Sequence, residues 1–156
     1  MFSIGVDQTI TIPGGPTCRL GRLTLAVIRQ YQEYVARSVG DPFRDVEKYL
    51  GRAPDAVINE AFKAACDLRD QLKYFSLGAP VAHRALMTEE GGAKLLHLLM
   101  QQVDAQASEA DAYDLLIYLF DTKQLGDVIT KAQGGTVRKS EGNEAPASGP
   151  ASAGAT

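Results

Sequence analysis

The chain changes character at residue 134. Up to Gln133, Leu, Ile, Val, Phe and Tyr recur at helical spacing. From Gly134 the sequence turns to Gly-Gly-Thr-Val-Arg-Lys-Ser-Glu-Gly-Asn-Glu, and Ala145–Thr156 holds only Ala, Pro, Ser, Gly and Thr. A stretch of that kind cannot bury enough apolar surface to offset the entropy lost on ordering, about 1–2 kcal/mol per residue. The expectation is one folded domain over residues 1–133 and a disordered low-complexity tail over 134–156. A body of that size is normal for a single core.

Charge narrows the range of partners. The formal net charge is −3, and the basic residues are scattered among acids. Binding to phosphate backbones needs clustered Lys and Arg, so nucleic acid is not expected as the main partner. Two widely spaced cysteines, Cys18 and Cys66, form neither a disulfide framework nor a metal motif. Cys66 lies in a helical pattern and reads as a buried free thiol. The start, Met-Phe-Ser-Ile-Gly-Val-Asp, lacks the basic opening and apolar run of a signal peptide. Apolar runs such as Leu98–Met100 and Leu115–Phe120 fall far short of the ~20 residues that cross a bilayer. These features predict a soluble protein in a reducing cytoplasm, with no membrane partner.

The first twenty residues read as β. Thr9-Ile10-Thr11-Ile12 and Thr17-Cys18-Arg19-Leu20 alternate polar with apolar, and Pro13-Gly14-Gly15-Pro16 between them is a turn signal. Ile4 and Val6 are candidates for a third strand. Helical patterns follow. Thr24 is placed to cap a helix with the stripe Leu25, Ile28, Tyr31, Val35 and Val39, ended by Gly40. Phe43–Leu50 is a short segment closed by Gly51. From Pro54 the clearest amphipathic pattern runs through Val57, Ile58, Ala61, Phe62, Ala65, Leu68 and Leu72, which predicts a core helix with Phe62 fully buried.

Tyr74–Leu86 looks less regular, with Gly78 and Pro80 as breakers. Thr88 then opens a helix with Glu89 and Glu90 in its first turn. Ser108-Glu109-Ala110-Asp111 is a capping-box-like start to another. A last helix spans about Thr122 to Ala132. The fold class is therefore mainly α: a short N-terminal β-hairpin, a bundle of five to six helices and the tail. Leu95–Met100 and Leu115–Phe120 are apolar on more than one side, which suits either a core or a surface awaiting a partner.

No residue cluster carries recognisable chemistry. His83 and His97 have no second His or Cys at ligand spacing, and His97 is expected to pack with one ring nitrogen hydrogen-bonded. Glu89-Glu90 suits a helix dipole better than acid–base catalysis. Asp67 and Asp70, with Arg69 between, read as a solvated face. Gly14-Gly15 and Gly91-Gly92 lack the strand–loop–helix setting and following Lys-Ser or Lys-Thr of a phosphate loop, and Gly91-Gly92 fits close helix packing instead. Ser3, Ser38, Ser76 and both cysteines sit in no nucleophile motif. Neither catalysis nor a cofactor or metal is expected. Binding or assembly is.

Thr9–Ile12 followed by Cys18-Arg19-Leu20-Gly21-Arg22-Leu23-Thr24, then Met87-Thr88-Glu89-Glu90-Gly91-Gly92, Leu95–Leu99 and Ser108–Leu116, resembles the tail assembly chaperones of long-tailed bacteriophages. The likeness covers about residues 9–130 in layout and only these short pieces in sequence. It implies a β N-terminus, a helical body and a poorly ordered C-terminal extension, which a ribosomal frameshift often lengthens. It further implies that the protein binds the helical tape measure protein in the cytoplasm of the bacterial host. There it would keep that partner soluble while tail tube subunits polymerise around it. The Ala/Pro-rich ending departs from the family and suits any flexible linker. On this reading Leu95, Leu98, Leu99, Leu116, Leu119 and Phe120 are the candidate partner-binding wall. Two other classes stay open. One is a structural virion component, such as a head–tail connector or capsid accessory protein that self-associates. The other is a small host adaptor.

Overall fold

The structure, a computed structural model, describes residues 5–134. The expected tail beyond Gly134, and Ile4 of the suggested third strand, lie outside the described residues. Strands β1 (Gln8–Thr11) and β2 (Thr17–Leu20) pair antiparallel, with Ile10 opposite Cys18 and Gln8 opposite Leu20. The turn between them has Pro13 second and Gly14 third. Gly14 takes φ 71° and the Gly15 N–H donates to the Ile12 carbonyl at 2.9 Å, the layout of a type II turn. Alternation puts Cys18 and Leu20 inward and leaves Thr9, Thr11, Thr17 and Arg19 in solvent. Val6 does not extend the sheet. Its N–H donates to the Lys131 carbonyl, and its side chain is exposed.

Seven helices follow among the described residues: α1 (Leu25–Val39), α2 (Arg44–Tyr49), α3 (Asp55–Lys73), α4 (Pro80–Leu86), α5 (Glu89–Gln101), α6 (Glu109–Asp121) and α7 (Leu125–Gln133). The expected caps are present. The hydroxyls of Thr24, Thr88 and Ser108 accept from the N–H groups of Val27, Gly91 and Asp111. Gly134, at φ 85°, ends α7 in the left-handed region that glycine adopts freely. Pro80 does not break structure here. It is the first residue of α4, where its fixed φ suits a helix start and its missing N–H costs nothing.

Helix α5 is the hub, packed against α6, α1, α4 and β2. Leu95, Leu96, Leu98, Leu99 and Met100 are all buried, as are Ala112, Leu115, Leu116 and Leu119 of α6. Gly91 and Gly92 make that packing possible. A Cβ at Gly91 would run into the Ala85 carbonyl oxygen, and one at Gly92 would meet the Leu116 side chain at 2.8 Å. The buried Tyr31 hydroxyl donates to the Gly91 carbonyl at 3.0 Å, pinning α1 to the start of α5. The hairpin is anchored by the Gly21 N–H to the Leu99 carbonyl at 2.8 Å and by the Gln8 side-chain amide to the Val128 carbonyl at 2.9 Å.

Helix α3 departs from expectation. It forms with the expected bounds, but Ala65 is its single buried residue among those described, and Phe62 is 52% exposed. Phe62 meets the Phe43 ring at 5.7 Å between centroids rather than the core. The physical reason is a shortage of neighbours. One side of α3 lies on the six-residue α2, and the rest reaches the body through α4 and α1. In α1 the buried stripe is Val27, Tyr31 and Val35, while Leu25 is 73% exposed. Cys66, expected to be buried, is only half-buried, while Cys18 is buried in the core, both as free thiols. Burial pushes the Cys18 thiol pKa up, with Asp111 and Asp114 adding to it.

Candidate binding surface

Five of the six residues expected to form a partner-binding wall are core. Leu95, Leu98, Leu99, Leu116 and Leu119 are each 5% exposed or less, because α5 and α6 press those sides against each other and against the hairpin and α1. Phe120 alone of the six reaches the surface, at 52% exposure. The wide apolar runs thus split by face. Ala112, Leu115, Leu116 and Leu119 point inward; Tyr113, Ile117 and Phe120 point outward.

The outward set is a stripe. Tyr113, Ile117 and Phe120 are spaced four then three residues apart, so they stack along one line of α6. Met87, just before α5, is exposed beside the same end of α6. It lines a hollow of about 310 Å³ with Thr88, Glu89, Leu116, Ile117 and Phe120. A second hollow of about 250 Å³ lies further along the α5–α6 seam, between Tyr34, Glu90, Lys94, His97, Glu109 and Tyr113. Tyr113 belongs to both the stripe and this cleft, so the furrow is two hollows in line along the α5–α6 seam, with the stripe running from one to the other. Over the 13 residues of α6, at about 1.5 Å rise each, the furrow extends close to 20 Å.

Acids border the stripe. Helix α6 carries Glu109, Asp111, Asp114 and Asp121 and no Lys or Arg. Asp114 and Asp121 lie on the side facing the hairpin turn, and Glu89, Glu90 and Glu109 on the α5 side. Desolvation raises the Tyr113 phenol pKa, and Glu90, Tyr34, Glu109 and Glu89 add to the shift. Among the described residues Lys94 is the one Lys or Arg lining either hollow.

His97, at 8% exposure, lines the inner part of the cleft. Its Nε2 lies 2.8 Å from the Ala107 carbonyl oxygen. A carbonyl only accepts, so Nε2 carries the proton. Nδ1 is buried with no hydrogen-bond partner among the described residues. The packed, singly bonded imidazole expected from sequence is what the structure shows. His83 is exposed on α4. Among the described residues no group of three His, Cys, Asp or Glu side chains is arranged to hold a metal ion. Asp67 accepts from Gln71, and Asp70 pairs with Arg69 at 3.5 Å, both on a solvated face.

A second apolar surface lies on α2 and α3, where Tyr49, Leu50, Val57 and Phe62 are exposed. Arg44, Asp45, Lys48, Lys63, Arg69 and Asp70 surround it with both signs of charge. A hollow of about 380 Å³ lies between the two helices, lined by Asp45, Tyr49, Ala61, Ala65, Asp67 and Leu68.

No protein-family model, curated protein or solved structure matches the chain. Function is therefore read from this surface. Tyr113, Ile117 and Met87 were not among the partner-binding residues expected from sequence. The four–three spacing of 113, 117 and 120 was legible there. Reading Leu115–Phe120 as one apolar run concealed it.

Proposed function

We propose that this chain is a non-catalytic binding protein that covers amphipathic helices, acting as a phage tail assembly chaperone whose client is the helical tape measure protein. The observation that carries the reading is the exposed Tyr113–Ile117–Phe120 stripe along the α5–α6 furrow. An apolar line at four–three spacing on a solvent-facing helix suits pairing with a second helix. A folded body with such a furrow offers a client helix somewhere to put its apolar side before assembly does so. The resemblance to tail assembly chaperones supplies the identity of the client, and the tail tube subunits as the proteins that later replace this one. It likewise places the encounter in the host cytoplasm. No helix among the described residues is long and apolar enough to cross a membrane, in keeping with that placement.

The test is co-expression with the tape measure protein of the same genome. The wild-type chain should raise its soluble fraction. Ile117→Asp and Phe120→Asp should abolish the rescue while keeping the helical circular dichroism, since both side chains are more than half exposed. Leu98→Asp and Leu116→Asp are unsuitable, because a carboxylate buried in the core would unfold the domain and mimic lost binding. Rescue that survives both surface substitutions would remove the furrow from the mechanism. Absence of rescue by the folded wild-type protein would remove the chaperone reading itself. Many copies in mature particles would favour a structural virion role instead.

A further inference from the structure

The furrow on α5 and α6 has a charge as well as a shape, and the charge selects an occupant. Acids line both margins of the stripe: Asp114 and Asp121 on one, Glu89, Glu90 and Glu109 on the other. Two copies of such a face would bring carboxylates against carboxylates, and like charges set face to face disfavour that pairing. The side chains within the cleft point the same way. Tyr34 and Tyr113 offer aromatic walls, which favour cations. Lys94 offsets one of the two carboxylates lining the cleft and leaves it net acidic.

We infer that the α5–α6 furrow docks an amphipathic helix with basic margins. Its apolar seam would rest on Tyr113, Ile117, Phe120 and Met87, and one Arg or Lys would reach into the cleft between Glu90 and Glu109. This rests on the helix-binding reading above and adds to it the charge of the partner. Attraction between acidic furrow and basic helix would speed encounter and reject acidic helices of equal hydrophobicity.

The experiment uses the full chain and two synthetic helical peptides that share one Leu/Ile seam at heptad spacing. One carries Lys and Arg at every flanking position, the other Glu. Binding is read by fluorescence anisotropy at low and at high salt. The basic peptide should bind roughly tenfold or more tightly than the acidic one, and salt should narrow the gap by screening exposed charges. The double variant Asp114→Lys, Asp121→Lys should reduce or invert the preference, and Ile117→Asp should remove binding of the basic peptide. All three positions are exposed, so the variants keep the fold. Equal affinity for the two peptides would overturn the charge selection and leave helix docking intact. Binding of neither peptide would overturn both. Undiminished binding by Ile117→Asp would place the occupied site elsewhere, as would loss on Phe62→Ser, which alters the α2–α3 surface. Self-association of the chain that Ile117→Asp disrupts would make a second copy the occupant and would overturn the inference.

Discussion

Helices α3 and α5 both carry strong apolar patterns, yet one lies at the edge of the molecule and the other at its centre. Helix α3 is the longer, with 19 residues against 13, and has the cleaner division into apolar and polar sides. Helix α5 is apolar nearly all round and is enclosed by α6, α1, α4 and the hairpin. A clean amphipathic face states which side of a helix avoids water. It does not state how much protein is available to cover that side. A helix apolar on every side makes the stronger statement, because only full enclosure satisfies it.

The comparison predicts opposite sensitivities. Leu99→Ala, at the centre of α5, should cost about 2–5 kcal/mol by urea unfolding, because the surrounding helices cannot close the cavity fully. Phe62→Ala should cost less, about 1–2 kcal/mol, since half of that ring is already in water and its main aromatic partner is the half-buried Phe43. If Phe62→Ala proved the more damaging, α3 would be part of the cooperative core and its exposed face would be covered by something outside the described residues.

Much of this was legible because local signals are written in single residues. Thr24, Thr88 and Ser108 cap helices as their side-chain oxygens dictate, and Pro13-Gly14 makes the turn its backbone permits. The pattern at Leu95–Met100 left core and surface both open, and enclosure by four neighbours decided it. What escaped was relational. Whether Phe62 or Ile117 meets protein or water depends on where distant segments fall, and no local periodicity records that. Pro80 was misread for another reason. The same residue ends a helix or begins one, and Pro80 begins α4, which no local side chain caps.

The smallest expected effect concerns the joint between α1 and the centre. Tyr31 is fully buried, and its hydroxyl donates to the Gly91 carbonyl at 3.0 Å, beside the glycine pair that lets α5 approach α4 and α6. Tyr31→Phe should cost about 0.5–1.5 kcal/mol at neutral pH, the net worth of one hydrogen bond. Its pH dependence tells more. Burial, with Tyr34 adding to it, raises the folded-state pKa of Tyr31 well above the ordinary phenol value. A phenol is charged only when deprotonated, and a carbonyl partner gives that anion nothing. The unfolded chain therefore ionises first, near pH ~10, while the folded protein still holds its proton. Stability from this group is complete below that pH and is lost as pH rises toward the folded value. The chain has six tyrosines, so the measured quantity must be the difference between wild type and Tyr31→Phe. That difference should be flat from neutral pH to about pH 9 and then shrink steadily as the wild type alone acquires a cost for keeping Tyr31 protonated. A difference that stays constant to about pH 11 would mean that Tyr31 ionises as readily folded as unfolded, and that the joint between α1 and α5 admits water.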